Sequence, residues 1–502
     1  MHLVNKILKN FKKDPHIFIL ITILLLAIFF RTYAVVDRFE FSQDGDLYSW
    51  IVKDIVVNRD LRLIGQETSA PGIFIGPLFY YSITPFFLLT NMDPIGAIIP
   101  VTIVGILAVF SYFFVFSKLY NVQIGLIASF LYTVLLETVQ LDRRVVPSTP
   151  TNLWVIWYFF TIIMLVRGNF KVLPVLGILI GLIWHIHIAL APTLMAVPVA
   201  IFLSRKIPNL KQILSFVICL TITFIPLAFF EIKNNFVQTT GLIDNFGKTP
   251  EGIATGFYKM QLVMEMVIKN IHNLFFVPHH FPFLQNIVLF FAILLMGLWA
   301  INKKLIQWKE LVVLYSWLFG VIIFFSVSSS IISEYYFFNL NVIFILLTTL
   351  LIFYVYKNST PGKVIIIILF LIITLKNIHF MITQDYYHKG YLEKKEIVNY
   401  IVNDAKDKSY PCFSINYITS PGENVGFRYF FYLKNAHIGV AGRGSPVYSI
   451  VIPDEYAKDE IEAKFGHIGI ITPKNIGTRQ LISEACSGAN TNLTDPMLGF
   501  VD

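Results

Sequence analysis

The 502-residue chain is 56% hydrophobic and only 14% charged. A soluble domain usually carries about 25% charged residues, so this composition excludes an ordinary soluble protein. The net charge of +8 does not indicate nucleic-acid binding. The Lys and Arg residues stand in short clusters between long apolar runs, which is typical of a multi-pass membrane protein.

Eleven helical membrane spans are predicted, because the apolar runs are roughly 17–25 residues long and do not alternate strictly between polar and apolar positions. The predicted spans are Ile17–Val36, Ile95–Phe116, Ile124–Gln140, Asn152–Val166, Val172–His185, Ala191–Leu203, Ile213–Glu231, Asn286–Ile301, Leu311–Val327, Phe337–Tyr356 and Val364–Ile382. The first span has no cleavage site followed by a soluble body, so it is predicted to be an uncleaved anchor.

A further apolar segment, Ile73–Thr90, is not counted as a crossing. It is short, and Pro77 and Pro85 would kink or break a spanning helix. Without this crossing, four later basic clusters all fall on the cytoplasmic side, as positive charge usually does. They are Arg167/Lys171, Arg205/Lys206/Lys211, Lys303/Lys304/Lys309 and Lys357/Lys363. The sequence thus predicts a cytoplasmic N-terminus and an outer C-terminal tail.

The tail differs in composition, since charged residues, Gly and Pro occur throughout it. Its short apolar runs Cys412–Tyr417, Tyr448–Ile452 and His467–Ile471 predict strands, and Lys394–Lys406 predicts an amphipathic helix. We therefore expect a transmembrane domain over 1–382 and a small extracytoplasmic α/β domain over 383–502. Cys412 and Cys486 can form a disulfide there if the tail faces an oxidising side.

Two carboxylates stand out in the loop Phe39–Trp50, which follows the first span. Asp44 and Asp46 are predicted as catalytic residues or as ligands of a divalent metal ion, since a carboxylate can accept a proton from a hydroxyl or bind a cation beside a phosphate. The alternative is a solvated loop without a chemical role.

A second predicted outer loop, Leu141–Pro150, contains Arg143 and Arg144 against the positive-inside trend. Paired guanidinium N–H donors suit a phosphate, so both arginines are candidate substrate-binding residues. Contact with lipid headgroups is the alternative, and Asp142 could pair with one of them.

Histidines provide further candidates. His185 and His187 lie at the tip between predicted spans five and six, where they could bind substrate, bind a metal or form structural hydrogen bonds. His279 and His280 are weaker metal candidates in a long outer loop. The same loop contains Phe257–Phe275, which predicts an interfacial helix that either lines a lipid groove or has no catalytic role.

The order of several motifs carries a resemblance to a known family. Besides the acidic loop, these are Gly-Pro-Leu-Phe-Tyr-Tyr with Asp93-Pro94 behind it, the arginine pair ahead of Pro-Thr-Asn, the histidine tip, and Glu334-Tyr335-Tyr336-Phe337-Phe338. Between Arg31 and Ile382 this order resembles the membrane glycosyltransferases of the C-type (GT-C) fold. The particular resemblance is to family 39, which includes the dolichyl-phosphate-mannose:protein mannosyltransferases, and to the lipid A aminoarabinose transferases.

The resemblance implies a sugar donor on a polyprenyl phosphate and transfer outside the membrane. The family's first-loop acidic residue matches Asp44, but Gly45 stands where a second acidic residue is common, and Asp46 follows it. Tyr48 in the same loop, with Glu334, Tyr335 and Tyr336, is then expected to bind substrate. The basic residue that often accompanies the late tyrosine pattern is absent.

We therefore predict an inverting glycosyltransferase of the cell membrane. Its partners would be a polyprenyl-phosphate-linked sugar, a protein, lipid or glycan acceptor, and membrane lipids, without nucleic acid. No cofactor other than a divalent metal ion is expected. The alternatives are a transporter or flippase, which would be expected to show inverted repeats, and a membrane scaffold without catalytic activity.

Overall fold

The structure is a computed structural model that describes residues 15–68, 72–245, 254–276, 283–328, 331–386, 388–440, 442–474 and 476–493. The metal candidates His279 and His280 lie outside the described residues. Two compact units are present, and each is described by itself. Unit 1 consists of Met1–Tyr33, Leu63–Phe79 and Val101–Thr383, and unit 2 consists of Ala34–Arg62, Tyr80–Pro100 and Gln384–Asp502.

Most of the described chain is helical. The α-helices, in chain order, are α1 (Pro15–Thr32), α2 (Gln43–Lys53), α3 (Leu78–Leu89), α4 (Ile98–Leu119), α5 (Val122–Val134), α6 (Leu136–Leu141), α7 (Thr151–Val166), α8 (Leu173–Ile186), α9 (Ala196–Ser204), α10 (Leu210–Lys233), α11 (Val237–Asn245), α12 (Gly256–Phe275), α13 (Phe283–Asn302), α14 (Trp308–Val327), α15 (Asn341–Asn358), α16 (Thr360–Thr383), α17 (Tyr391–Asp407), α18 (Arg428–Leu433) and α19 (Arg479–Ala485).

Six helical segments in the described residues are long and apolar enough to cross a membrane. They are Pro15–Thr32, Pro94–Leu119, Leu210–Lys233, Trp308–Val327, Glu334–Asn358 and Thr360–Thr383. The other predicted spans correspond to shorter apolar helices. The multi-pass architecture is therefore confirmed, whereas the number of eleven spans and their orientation stay predictions.

Two predicted spans depart from a regular α-helix. The third changes direction at Leu135, which has extended φ and ψ angles between α5 and α6. The sixth begins as the 3-10 helix Ile188–Met195, which contains Pro192, and continues as α9 with only 9 residues. A proline removes a backbone donor, which favours such an irregular start.

Helix α3 has 12 residues and contains Pro85. At 1.5 Å per residue it is about 18 Å long, whereas the hydrocarbon layer is about 30 Å thick. This length agrees with the prediction that the segment Ile73–Thr90 does not cross the membrane.

Unit 1 is held together by close helix packing. Helices α8 and α10 approach so closely that a Cβ atom on Gly177 would overlap the Phe216 carbonyl oxygen, and one on Gly181 would overlap Thr223 Oγ1. Small residues permit such backbone contact between apolar helices.

Unit 2 contains the small sheet domain. Its strands are β1 (Ser414–Thr419), β2 (Val447–Ile452), β3 (Ala463–Phe465) and β4 (Ile468–Ile471), in the order β1-β2-β4-β3. Strand β1 pairs in parallel with β2, and the other pairs are antiparallel. The small C-terminal sheet domain is confirmed, and Cys412 and Cys486 form a disulfide with 5.5 Å between their Cα atoms.

The tail does not form unit 2 alone. The segments Ala34–Arg62 and Tyr80–Pro100 belong to the same unit, so the acidic loop and helix α3 pack with the tail. The division into a transmembrane domain over 1–382 and a separate domain over 383–502 stays a prediction. The compact units instead draw two segments from the predicted transmembrane range into unit 2.

Candidate active site

The two aspartates of the acidic loop lie in the first turn of α2, in unit 2. Ser42 is the residue that precedes this helix, and its carbonyl accepts a hydrogen bond from the Asp46 amide at 3.1 Å. Negative charge is stabilised at a helix N-terminus by the helix dipole. Residues two apart on a helix point about 200° apart, which explains why Asp46 is only 4% exposed while Asp44 is half-buried.

Gly45 separates the aspartates for a steric reason. A Cβ atom there would lie 2.7 Å from Cδ2 of the Phe41 ring. That ring also packs against Tyr48, with 6.4 Å between centroids, and against Phe430, with 4.8 Å. The absence of a side chain at Gly45 therefore gives space to an aromatic ring.

Tyr48 is fully buried within this aromatic cluster, at 1% exposure. Burial, together with the negative charge of Asp44, raises the pKa of Tyr48 well above its ordinary value. Ionisation of this phenol is therefore disfavoured even more than that of an ordinary tyrosine.

Lys394 on α17 is a residue that the sequence analysis did not single out. Its ammonium donates to the carbonyl oxygens of Phe41 at 3.0 Å and Val425 at 2.9 Å. The side chain is buried, and this desolvation lowers the pKa of Lys394 to about 8, while the negative charges of Asp46, Glu423 and Glu393 oppose the shift. A lysine with a pKa of about 8 thus lies near enough to Asp46 for their charges to interact.

Asp93 connects the segment Tyr80–Pro100 to the same helix. Its carboxylate accepts hydrogen bonds from the Tyr391 hydroxyl at 2.7 Å and from the Lys395 ammonium at 2.5 Å, and its Oδ1 atom also caps the following 3-10 helix. The Tyr429 hydroxyl donates to the Met92 carbonyl at 2.9 Å. These contacts explain why Asp93-Pro94 belongs with the acidic loop.

In unit 1, the predicted arginine pair is divided between two environments. Arg143 donates to the carbonyl oxygens of Phe30 at 3.1 Å and Tyr33 at 2.9 Å, at the C-terminal end of α1. Arg144 is exposed. The structure thus gives Arg143 a role in helix capping and leaves Arg144 as the accessible guanidinium.

Asp142 does not pair with either of these arginines. Its Oδ2 atom accepts two hydrogen bonds from Arg31, at 3.0 Å from Nε and 2.7 Å from Nη2. Its Oδ1 atom accepts from the Tyr132 hydroxyl at 2.8 Å and from Asn152 at 3.3 Å. Both charges are buried, so this is a structural ion pair with satisfied hydrogen bonds.

The two tip histidines have separate partners. His185 is buried, donates through Nε2 to the Thr223 carbonyl at 2.8 Å, and packs so closely on Gly76 that a Cβ atom there would overlap its Nδ1 atom. His187 Nδ1 accepts from the Ala189 amide at 3.0 Å, so its Nε2 atom carries the proton in the neutral ring and lies 3.4 Å from the Tyr335 hydroxyl. The geometry does not favour a shared metal ion.

Charged residues surround the cluster that His187 forms with Tyr335 and Tyr336. Lys269 of α12 forms an ion pair with Glu334, and Glu137 lies within electrostatic range of Lys269, Glu334 and Arg144. The ring of Tyr336 is 4.7 Å from that of Tyr335 between centroids. Five predicted residues therefore come together in unit 1, namely Arg144, His187, Glu334, Tyr335 and Tyr336, and Lys269 is a member that the sequence analysis did not name.

One group of three possible metal ligands is found among the described residues. It consists of Asp454, Glu455 and His467 in the tail. The Lys464 ammonium already lies 2.5 Å from Asp454 Oδ2. The group does not include Asp44 or Asp46, which point apart on α2.

Comparison with known proteins places the fold. No protein family model and no curated protein matches the chain. The crystal structure of ArnT from Cupriavidus metallidurans bound to undecaprenyl phosphate is 9% identical, covers 92% of this chain and 99% of its own, and has a TM-score of 0.56. The apo state of ArnT is 11% identical, covers 91% and 97%, and has a TM-score of 0.57.

A third solved structure is the oligosaccharyltransferase AglB from Archaeoglobus fulgidus, in complex with an inhibitory peptide and a dolichol-phosphate. It is 12% identical, covers 93% of this chain and 75% of its own, and has a TM-score of 0.47. The similarity to ArnT shows that the chain has the GT-C fold, as predicted. The finer assignment to family 39 stays a prediction.

Proposed function

We propose that this protein is a membrane glycosyltransferase that moves a sugar from a polyprenyl-phosphate carrier to an acceptor hydroxyl on the outer membrane face. The observation that carries the proposal is the pair of carboxylates in the first turn of α2, in a chain with the GT-C fold. ArnT with this fold was captured with undecaprenyl phosphate, which supports a donor of the same lipid class.

The proposed step is a single displacement. The acceptor oxygen attacks the anomeric carbon of the sugar, the bond from that carbon to the phosphate oxygen breaks, and the polyprenyl phosphate leaves with the electron pair. The acceptor proton passes to a carboxylate, which acts as general base. Attack opposite to the leaving phosphate inverts the anomeric configuration.

Asp44 is assigned the role of the base. It is half-buried, so a substrate hydroxyl can reach it, whereas Asp46 is 4% exposed. Asp46 lies in the electrostatic range of Lys394 and is assigned a supporting role. Tyr48 is buried against the Phe41 ring and is assigned the role of supporting the loop by packing.

Arg144 offers an exposed guanidinium and is retained as a proposed phosphate-binding residue. Tyr335 and His187 lie on the same cluster and provide further hydrogen-bond donors. Arg143 is not needed for this role, since its guanidinium binds backbone carbonyls.

The proposed location is a cell membrane, with the tail on the outer side. A divalent metal ion remains part of the proposal, because a cation beside the leaving phosphate would stabilise its charge. On α2 only one of the two aspartates can face such an ion, because the two side chains point apart. Removal of divalent cations by a chelator tests whether turnover needs a metal ion.

The experiment is a transfer assay with the full chain purified in lipid, a labelled mixture of polyprenyl-phosphate sugars, and a mixture of protein, lipid and glycan acceptors. Asp44→Asn is expected to lower turnover by about 10²–10⁴-fold, which is the usual contribution of a general base. Asp37→Asn is the matched control, because Asp37 is exposed and lies ahead of the loop. The donor that is consumed identifies the sugar.

Turnover that is unaffected by Asp44→Asn would remove Asp44 from the mechanism. Absence of transfer from every donor, with correctly folded protein, would contradict the proposed function and favour a transporter or scaffold.

A further inference from the structure

A cavity of about 590 Å³ lies in unit 1, away from the predicted site residues. It is bounded by the ends of α7 and α9, the end of α13 and the start of α14. Its wall includes Arg167, Lys304 and Lys309, which belong to basic clusters that are predicted to face the cytoplasm. The cavity is therefore not the place proposed for sugar transfer.

The charges on its wall do not balance. Arg167 Nε lies 2.7 Å from Glu310 Oε1, and the same guanidinium donates to the Leu119 carbonyl at 2.9 Å. These two charges neutralise each other. Lys304 and Lys309 also line the cavity, and neither forms an ion pair with any described residue. The wall thus carries two excess positive charges.

The backbone at Lys304 allows a variant that removes the ammonium group without straining the chain. Lys304 has φ +56°, and the Leu305 amide donates to the Ala300 carbonyl while the Lys304 amide donates to the Ile301 carbonyl. This is the helix-ending motif in which glycine normally occupies the left-handed position. A lysine is disfavoured there by its Cβ atom, so replacing Lys304 by glycine would relieve the backbone.

The remaining walls are amphipathic. Leu305 and Ile301 contribute apolar surface, and Trp308 is 52% exposed at the same opening. Tryptophan is enriched at the boundary between headgroups and hydrocarbon. A ligand that joins a negative charge to an acyl chain suits this combination better than a free anion does.

We propose that this cavity binds the phosphate-bearing headgroup of an anionic membrane lipid, with Lys304 and Lys309 contacting the phosphate. Basic pockets at the ends of membrane helices are suited to such headgroups. The site is separate from the donor site of the proposed transfer reaction, and its test does not use turnover.

The test is native mass spectrometry of the full chain, released from nanodiscs that contain either phosphatidylglycerol or phosphatidylcholine. The wild type is expected to retain phosphatidylglycerol. The double variant Lys304→Gln with Lys309→Gln is expected to retain a fraction that is at least fivefold lower. Lys303→Gln is the matched control. Lys303 is next to Lys304 in the sequence, but its Nζ atom lies 5.4 Å from the centroid of the Tyr354 ring, and it does not line the cavity.

A second variant separates binding from folding. Lys304→Gly removes the ammonium and relieves the left-handed backbone, so its Tm is expected to rise while phosphatidylglycerol retention falls. Equal retention in the wild type and both cavity variants would overturn the proposal. Displacement of the lipid by millimolar glycerol phosphate, at the same efficiency as by added phosphatidylglycerol, would also overturn it, since the cavity would then bind free phosphate esters.

Discussion

Two buried cations that lie near carboxylates, Arg31 in unit 1 and Lys394 in unit 2, differ in their hydrogen bonds. Arg31 in unit 1 donates twice to Asp142, at 3.0 and 2.7 Å, and is completely buried. Lys394 in unit 2 donates to two backbone carbonyls, while Asp46 acts on it through electrostatics. A neutral amine has two N–H groups and can keep both of those hydrogen bonds.

This difference separates Arg31, whose charge is permanent, from Lys394, whose charge depends on pH. The guanidinium of Arg31 cannot lose its proton in a protein, so the Arg31–Asp142 pair stays fixed. The pKa of Lys394 is lowered to about 8, so a modest change of pH alters the charge beside the acidic loop. We expect mutations of the first pair to act on folding and mutations of the second region to act on pH dependence and turnover.

The largest effect on stability is expected from Arg31→Met. It leaves the Asp142 carboxylate buried without its cation, which costs about 3–5 kcal/mol in the free energy of unfolding. Thermal unfolding in detergent measures the loss. The double variant Arg31→Met with Asp142→Asn is expected to recover most of it, because the neutral amide would carry no buried charge and would keep Tyr132 as a hydrogen-bond partner. An equally unstable double variant would contradict a role based on charge.

Lys394 is expected to give a pH-dependent stability. Its folded pKa of about 8 lies below its ordinary value of 10.5, so the unfolded state binds the proton more tightly. Stability should therefore rise as the pH increases from 8 to 10.5, by about 3 kcal/mol in total, and should not change through this group below pH 8. Lys394→Met should flatten the rise in Tm.

The control for this pH dependence is Lys406→Met, because Lys406 is on the same helix α17 and is exposed. It should retain the wild-type rise in Tm. A Lys394→Met profile that is parallel to the wild-type profile would show that Lys394 does not titrate in this range.

Gly45→Ala is expected to destabilise unit 2 by about 1–3 kcal/mol, the usual cost of overpacking. The new methyl group would meet the Phe41 ring at 2.7 Å and displace the first turn of α2. Adding Phe41→Leu should cost less than the sum of the single changes. Gly488→Ala is the control, since nothing lies within 4 Å of a Cβ atom there. Additive effects at Gly45 and Phe41 would contradict the steric account.

The smallest effect is expected for Lys269→Gln and Glu334→Gln. Their side chains are 43% and 46% exposed, and an exposed ion pair contributes about 0.2–1 kcal/mol. Tm should change little in either variant, so any increase in KM for the donor would reflect substrate binding. A loss of stability well above 1 kcal/mol would show that the pair is a structural element of unit 1.

The fold was largely predictable, because the length of apolar runs and the position of charges are properties of sequence alone. Helix α17 follows from its amphipathic pattern, and β1, β2 and β4 follow from the short apolar runs of the tail. The third predicted span was wrong as a continuous helix, because the extended backbone at Leu135 interrupts it. The sixth is helical throughout but starts as a 3-10 helix that contains Pro192. Strand β3 has only 3 residues and depends on pairing with β4, so it has no independent signal.

The site was predictable in part. Asp142 was expected beside the arginine pair, but its partner Arg31 is 111 residues away, and spacing cannot reveal such a contact. Lys394 did leave a signal, because it lies on the buried face of α17 with Ile397 and Ile401. A charged residue on the apolar face of an amphipathic helix indicates a buried cation.

The most direct test compares two isosteric changes, Asp44→Asn and Asp142→Asn, with turnover and Tm measured on the same preparations. We expect Asp44→Asn to lower turnover at least a hundredfold with Tm nearly unchanged, and Asp142→Asn to lower Tm by many degrees. The reverse pattern, with Asp44→Asn unfolding the protein while retaining turnover per folded molecule, would contradict the division between a catalytic and a structural carboxylate.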